Sequence, residues 1–205
     1  NYEAINDIAI YNSTYIAAAG NTIHFSPFLK ATGWRSNEIE YCADGGDRIL
    51  RVMPVQGGIV DLKENGIHLL FGNYKALSRR FYTTKGPVNP DAAVIHNDIL
   101  YMISEEGLMR YDGASGVICS KHIDMTLSNP QMYEDVEFVY IINDDGTGYV
   151  FDPDTYKTLP NGDARVNIFA FEYADTIYRH AGELNRYGIA SDTIYAFDGT
   201  TTDNG

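Results

Sequence analysis

The sequence predicts an all-β protein, a β-propeller built from repeated four-stranded antiparallel blades of about 40–46 residues. A hairpin phrase recurs along the 205-residue chain at nearly constant spacing. The composition favours strands and turns, with 16 Tyr, 9 Phe and 19 Gly. Helical periodicity is also lacking, since no 12-residue window sustains a 3.6 period without Gly or Pro nearby.

The copies are quoted in chain order. They are STYIAAAGNTIHFSP (13–27), GGIVDLKENGIHLLFG (57–72), DILYMISEEGLMRYDG (98–113), FVYIINDDGTGYVFDP (138–153) and RYGIASDTIYAFDG (186–199). Each reads as a strand of about seven residues, a polar turn of about three and a short second strand that stops at Gly or Pro. The second strands begin at Ile23, Ile67, Leu108, Gly148 and Ile194, so successive copies start 44, 41, 40 and 46 residues apart. Runs such as Ile99-Leu100-Tyr101-Met102-Ile103 carry the β-branched and aromatic residues that suit a pleated, buried surface.

The expected hairpin turns fall at 20–22, 64–66, 105–107 and 144–146. In Glu64-Asn65-Gly66, Glu105-Glu106-Gly107 and Asp144-Asp145-Gly146 the closing Gly suits a position of positive φ. The endings Tyr111-Asp112-Gly113, Phe151-Asp152-Pro153 and Phe197-Asp198-Gly199 place an aromatic in the sheet. The Asp then accepts from the following turn, and Gly or Pro ends the strand. Tyr111, Phe151 and Phe197 are expected to be equivalent, each buried between its blade and a neighbour.

Two further strands flank each hairpin. DRILRVMPV precedes the second copy and RRFYTTKG follows it; DAAVIH and GVICSKHID bracket the third. The stretch MTLSNPQMYEDV (125–136) has room for one short helical turn. Beyond residue 160 the register blurs, because ADTIYRHAG (174–182) and SDTIYAFDG (191–199) are near copies only 17 residues apart. Either one blade holds two similar arms or a shortened blade intrudes. Residues 1–205 are taken as one propeller domain, a fragment of a longer chain.

Charge narrows the function classes. Lys and Arg total 15 against 28 Asp and Glu, a net charge of −13. Such a chain lacks the cations that release counterions from nucleic acid, and the basic step Arg79-Arg80 reads as a solvated strand edge. No apolar run approaches the ~20 residues of a membrane-spanning helix. Cys42 and Cys119 are too few for a disulfide scaffold and read as buried free thiols of a reduced compartment.

No chemical motif stands out. His24, His68, His96, His122 and His180 show no ligand spacing, and His24 and His68 share one repeat position, which blade geometry explains. NDDGTGYVFDPD (143–154) resembles a calcium loop only faintly, with Gly misplaced and Asp154 where Glu belongs. No nucleophile elbow, phosphate loop or dinucleotide fingerprint occurs. No catalytic, cofactor-binding or metal-binding residue is therefore assigned, no cofactor is expected, and the chain is read as a non-enzyme.

The phrases NTIHFSPFLKATGWRSNEIEY, GGDRILRVMPVQGGIVDLKENGIHLLFG and DAAVIHNDILYMISEEGLMRYDG resemble the β-propeller proteins of tailed-phage tails, the nozzle, muzzle or DNA-stabilisation type. The resemblance covers residues 15–125 and rests on Phe25-Ser26, Trp34, Lys63-Glu64-Asn65 and Glu106-Gly107 through Tyr111-Asp112-Gly113. It implies a structural virion protein, made in the host cytoplasm and carried in the tail, with no catalytic residues. The implied partners are copies of itself in a ring-shaped homo-oligomer and neighbouring tail or adaptor proteins, around a channel that DNA passes without tight binding. FDPDTYKTL (151–159) looks instead like a kelch turn, so a kelch-like or lectin-like propeller that binds a protein or glycan is the alternative.

Overall fold

Strand-forming runs separated by short turns leave each segment one economical partner, the strand just before or after it. The computed structural model describes residues 4–34, 38–42, 44, 48–73, 76–171, 177–180, 183–190 and 193–196, and this local pairing runs throughout them. The first sheet holds β1 (Ile5–Tyr11), β2 (Thr14–Ala19), β3 (Thr22–Phe25) and β4 (Ile39–Tyr41) in that order. The second holds β5 (Ile49–Val55), β6 (Gly58–Lys63), β7 (Gly66–Asn73) and β8 (Ala76–Thr83). The third holds β9 (Ala93–His96), β10 (Ile99–Ser104), β11 (Gly107–Tyr111) and β12 (Gly116–Ile118). The fourth holds β13 (Gln131–Glu134), β14 (Val139–Ile142), β15 (Gly148–Thr158) and β16 (Ala164–Phe171). A three-stranded sheet of β17 (Ile177–His180), β18 (Glu183–Ala190) and β19 (Thr193–Ala196) follows. All strand pairings among the described residues are antiparallel, and no α-helix occurs among them. The protein is a β-propeller of four-stranded blades.

The first strands of consecutive blades lie side by side, β1 with β5, β5 with β9 and β9 with β13. The period-2 alternation of strands then sends alternate residues to opposite neighbours. In β6, Ile59 faces the first blade, packed with Ile16, Ile23 and Phe25. Val60 and Leu62 face the third, packed with Leu100, Met102 and Tyr111. In β10 the alternation repeats, because Tyr101 and Ile103 turn to the fourth blade and meet Val139, Ile141 and Phe151.

The expected hairpin turns are where the sequence placed them, with β2–β3, β6–β7, β10–β11 and β14–β15 joined across residues 20–21, 64–65, 105–106 and 143–147. Gly107 has φ +116° and Gly146 φ +84°, as their turns require. Gly66 differs, for its φ lies outside the positive region. It is Gly because a Cβ there would sit 2.2 Å from the Phe81 ring. Two turns carry non-Gly residues in the left-handed region instead, Asn12-Ser13 (φ 47° and 59°) and Asn97-Asp98 (φ 48° and 62°). Two consecutive positive values match the right-handed twist of the flanking strands.

Tyr111 and Phe151 are both buried and face the blade before their own. Tyr111 stacks on Tyr82 at 5.3 Å between centroids, and Phe151 on Tyr101 at 5.2 Å. Phe197 lies outside the described residues. The carboxylate after the aromatic behaves as expected, with Asp112 Oδ1 accepting from the amides of Ala114 and Ser115 at 3.0 Å each.

Two details depart from the sequence reading, and one alternative that it left open is resolved. Residues 125–136 hold no helical turn, since Gln131–Glu134 pairs with β14 as the first strand of the fourth blade. Pro153 does not end its strand. The ladder shifts register between Asp152 and Lys157, which frees Pro153 from donating, and β15 continues to Thr158. The near copies beyond residue 174 supply β17 and β19, which both pair with β18, so they are two arms of one sheet.

Gly107→Val should lower stability by about 2 kcal/mol or more, from strained φ and from displacing Ser120. Ser120 Oγ, which accepts the Leu108 amide at 2.9 Å, would lie 2.5 Å from the new Cβ. Phe151→Ala should cost about 3–5 kcal/mol as an unfilled core cavity. Urea denaturation of both variants measures these losses.

Candidate functional site

Between blades one and two the interface changes character along its length. Ile16, Ile23, Ile49, Ile59 and Leu70 make an apolar portion. Farther along the same face of β6 come Asp61 and Lys63, both fully buried, and across the ladder from Asp61 stands His68 on β7. Cys42, just past β4 in the first blade, closes the group.

The geometry ties these four together. The Asp61 carboxylate accepts the His68 backbone amide at 3.0 Å, and His68 Nδ1 lies 2.8 Å from Asp61 Oδ1. That close approach is out of line for a hydrogen bond, so Nδ1 finds no well-directed partner, and neither does Asp61 Oδ2. Lys63 Nζ donates to the Cys42 carbonyl oxygen. Phe81 packs on the imidazole with centroids 4.8 Å apart. At the rim, the half-exposed Asp44 places Oδ2 3.5 Å from His68 Nε2 and 3.7 Å from Arg79 Nη2. Arg79 also donates to the Tyr41 carbonyl, while Arg80 donates to the Gly113 carbonyl at 2.7 Å. The two arginines thus clasp opposite neighbours, one the first blade and one the third, in addition to edging their own sheet.

Electrostatics decides what this group can do. Burial pushes the Cys42 thiol far above its usual range, and the Asp61 carboxylate beside it adds to the effect. Such a thiol stays protonated and is a poor nucleophile, the opposite of an activated catalytic cysteine. Burial likewise pushes Cys119 up to about 12, with Arg110 opposing it. Both cysteines are buried and free, as the sequence reading expected.

Of the other residues singled out in the sequence, His24, His96, Asp145 and Trp34 sit in structural roles, and the side chain of His180 lies outside the described residues. His24 Nε2 bonds Thr22 Oγ1 at 2.9 Å, and His96 Nδ1 lies 3.2 Å from Glu134 Oε2 in the next blade. The calcium-like loop satisfies itself, with Asp145 Oδ1 accepting from the Thr147 amide and hydroxyl at 3.0 and 2.7 Å. Trp34 is part-exposed and donates to the Ala31 carbonyl at 2.9 Å. Sequence reasoning missed the Cys42, Asp61 and His68 group, because its members stand 19 and 7 residues apart, a spacing with no local signature. The one available signal was the pair Asp61 and Lys63, two charges on alternate positions of an otherwise apolar strand.

No family model matches the sequence, and no curated protein matches it. Solved structures do. The N-terminal domain of the nucleoporin Nup159, a β-propeller, aligns at a TM-score of 0.51 and 15% identity over 83% of this chain and 45% of that one. Nup159 in a Saccharomyces cerevisiae complex with Dbp5 and Gle1 aligns at 0.50 and 15%, again over 83% and 45%. The Chaetomium thermophilum Nup82–Nup159–Nup145N complex gives 0.49 and 13% over 78% and 44%. The chain spans less than half the length of these nucleoporin chains. At such identities the likeness is one of fold.

The raised thiols carry a pH dependence. A proton held more tightly in the folded chain is lost first by the unfolded chain, so stability is full below the ordinary thiol pKa and falls above it. Unfolding free energy should drop by about 1.4 kcal/mol per pH unit per thiol above about pH 8.5. Urea titrations across that range should show the slope reduced in Cys42→Ser and again in the double variant with Cys119→Ser.

Proposed function

We propose that this chain is a non-catalytic propeller module that serves assembly, and specifically a structural component of a tailed-phage tail that forms a ring around a DNA channel. One observation carries the non-catalytic reading. The polar groups concentrated by the fold are sealed between two blades, with the thiol held protonated, instead of opening into a cleft. The tail assignment rests on the phrases in residues 15–125 and on the net charge of −13. Carboxylates repel phosphate over a Debye length of about 8–10 Å, so an acidic lumen lets DNA pass without capture. Partners are then further copies of the chain and adjoining tail proteins, in closed symmetry.

A cleft favours a second reading. It is an open hollow of about 340 Å³ between the third and fourth blades, lined by Val88, Asn89, Glu105, Leu127, Asn129 and Pro130. That is within the range of ligand pockets, roughly 300–1,000 Å³, and a kelch-like or lectin-like propeller would take a protein or glycan there.

Two measurements separate the readings. A gel-shift at about 50 mM salt, where attraction to phosphate is least screened, should show no tight DNA complex. Tight, salt-sensitive binding contradicts the channel. Mass photometry should then show a ring of defined copy number, whereas a monomer that binds glycans and loses them on Leu127→Arg supports the second reading.

A further inference from the structure

We propose that Cys42, Asp61 and His68 form a binding site for a thiophilic divalent cation of the zinc class. The thiol sulfur, a carboxylate oxygen and an imidazole nitrogen of the three lie within 4.8 Å of one another. Ligands around tetrahedral zinc stand about 3.5 Å apart, given bonds of about 2.0–2.3 Å. A separation of at most 4.8 Å is close to that spacing, and Asp61 Oδ1 and His68 Nδ1 already stand 2.8 Å apart.

Three independent features support the assignment. The donor set mixes thiolate, imidazole and carboxylate, which selects zinc or cobalt over calcium or magnesium. Each of the three residues is buried, and two of their polar atoms, Asp61 Oδ2 and His68 Nδ1, lack a hydrogen-bond partner of proper geometry. Buried polar atoms are ordinarily paired, and a cation satisfies both atoms at once. The shell around the donors is also in place. Asp61 is oriented by the His68 backbone amide at 3.0 Å, the ring is braced by Phe81, and the Cys42 backbone is held through its carbonyl by Lys63.

The outer partner of the ring and the charge balance are consistent with the proposal. Asp44 stands 3.5 Å from His68 Nε2, so it holds the ring from the side opposite Nδ1 and leaves Nδ1 turned toward Asp61. On binding, the S–H bond of Cys42 breaks, sulfur keeps the electron pair to form the metal–sulfur bond, and the proton passes to buffer. The thiolate and the Asp61 carboxylate then balance the two charges of the cation. No redox change is involved. The site joins a residue of blade one to two strands of blade two, so the cation is a cross-link between blades.

Cobalt(II) is the probe. Titrated into the metal-stripped full chain, it should give an intense near-ultraviolet thiolate-to-cobalt band and visible bands of tetrahedral cobalt, saturating at one equivalent and displaced by zinc. Cys119→Ser should leave both bands intact. Cys42→Ser should abolish the near-ultraviolet band and weaken binding by 100-fold or more, with circular dichroism confirming that the variant remains β-sheet. Should Cys42→Ser fail to fold, the Cys119→Ser chain decides alone, since its only thiol is Cys42. A stoichiometric band there supports the site. Absence of a thiolate band in the wild-type chain, or a band that survives Cys42→Ser, overturns it.

Discussion

Each blade leans on the blade one repeat further along the chain, and the structure depends on that contact. Asp7 of β1 accepts the Val52 amide of β5 at 2.8 Å. Arg51 of β5 donates to the Ala93 carbonyl of β9 at 2.7 Å, and Asp98 accepts the Gln56 amide at 2.6 Å. Asn89 donates to the Pro130 carbonyl at 2.9 Å. These partners stand 41 to 45 residues apart, which is the repeat itself. A four-stranded sheet with apolar residues on both faces cannot be covered by its own chain segment. It must be covered on each side, and these polar ties fix how far one blade slides over the next.

The first interface departs from the two that follow it. Blades two and three, and three and four, meet through apolar cores around Leu62 and Met102 and around Ile103 and Phe151. Blades one and two meet through Ile59 and Leu70, but also through Asp61, Lys63, His68 and Cys42. Buried charges stabilise little unless each finds a partner, and breaking one pair leaves the other stranded. Such a cluster therefore tolerates one relative placement of the two blades, where an apolar patch tolerates several.

The repeat was legible because blade geometry writes itself into local sequence. Alternation in Ile99–Ser104, turn chemistry at Glu105-Glu106-Gly107 and the Tyr-Asp-Gly ending all act within a few residues of one another. Gly66 shows the limit. Its turn position was readable, but its reason for being Gly is the ring of Phe81 one strand away. Pro153 shows another, because a bulge defined by β16 lets the strand run through it. Residues 125–136 carry turn formers, yet pairing with β14 makes a strand of their second half. The candidate metal group was illegible for the same reason at larger scale. Cys42 is brought to Asp61 and His68 by the packing of two blades, and no spacing within either blade announces it.

Hydrogen exchange on Asp7→Ala tests the dependence of one blade on the next most directly. The substitution lies in β1, while the amide it deprives belongs to Val52 of β5. If blades are coupled through ties one repeat apart, protection falls in β5 and in the adjoining β6 as well as in β1. Loss of protection confined to β1, with β5 and β6 unchanged, would contradict that account.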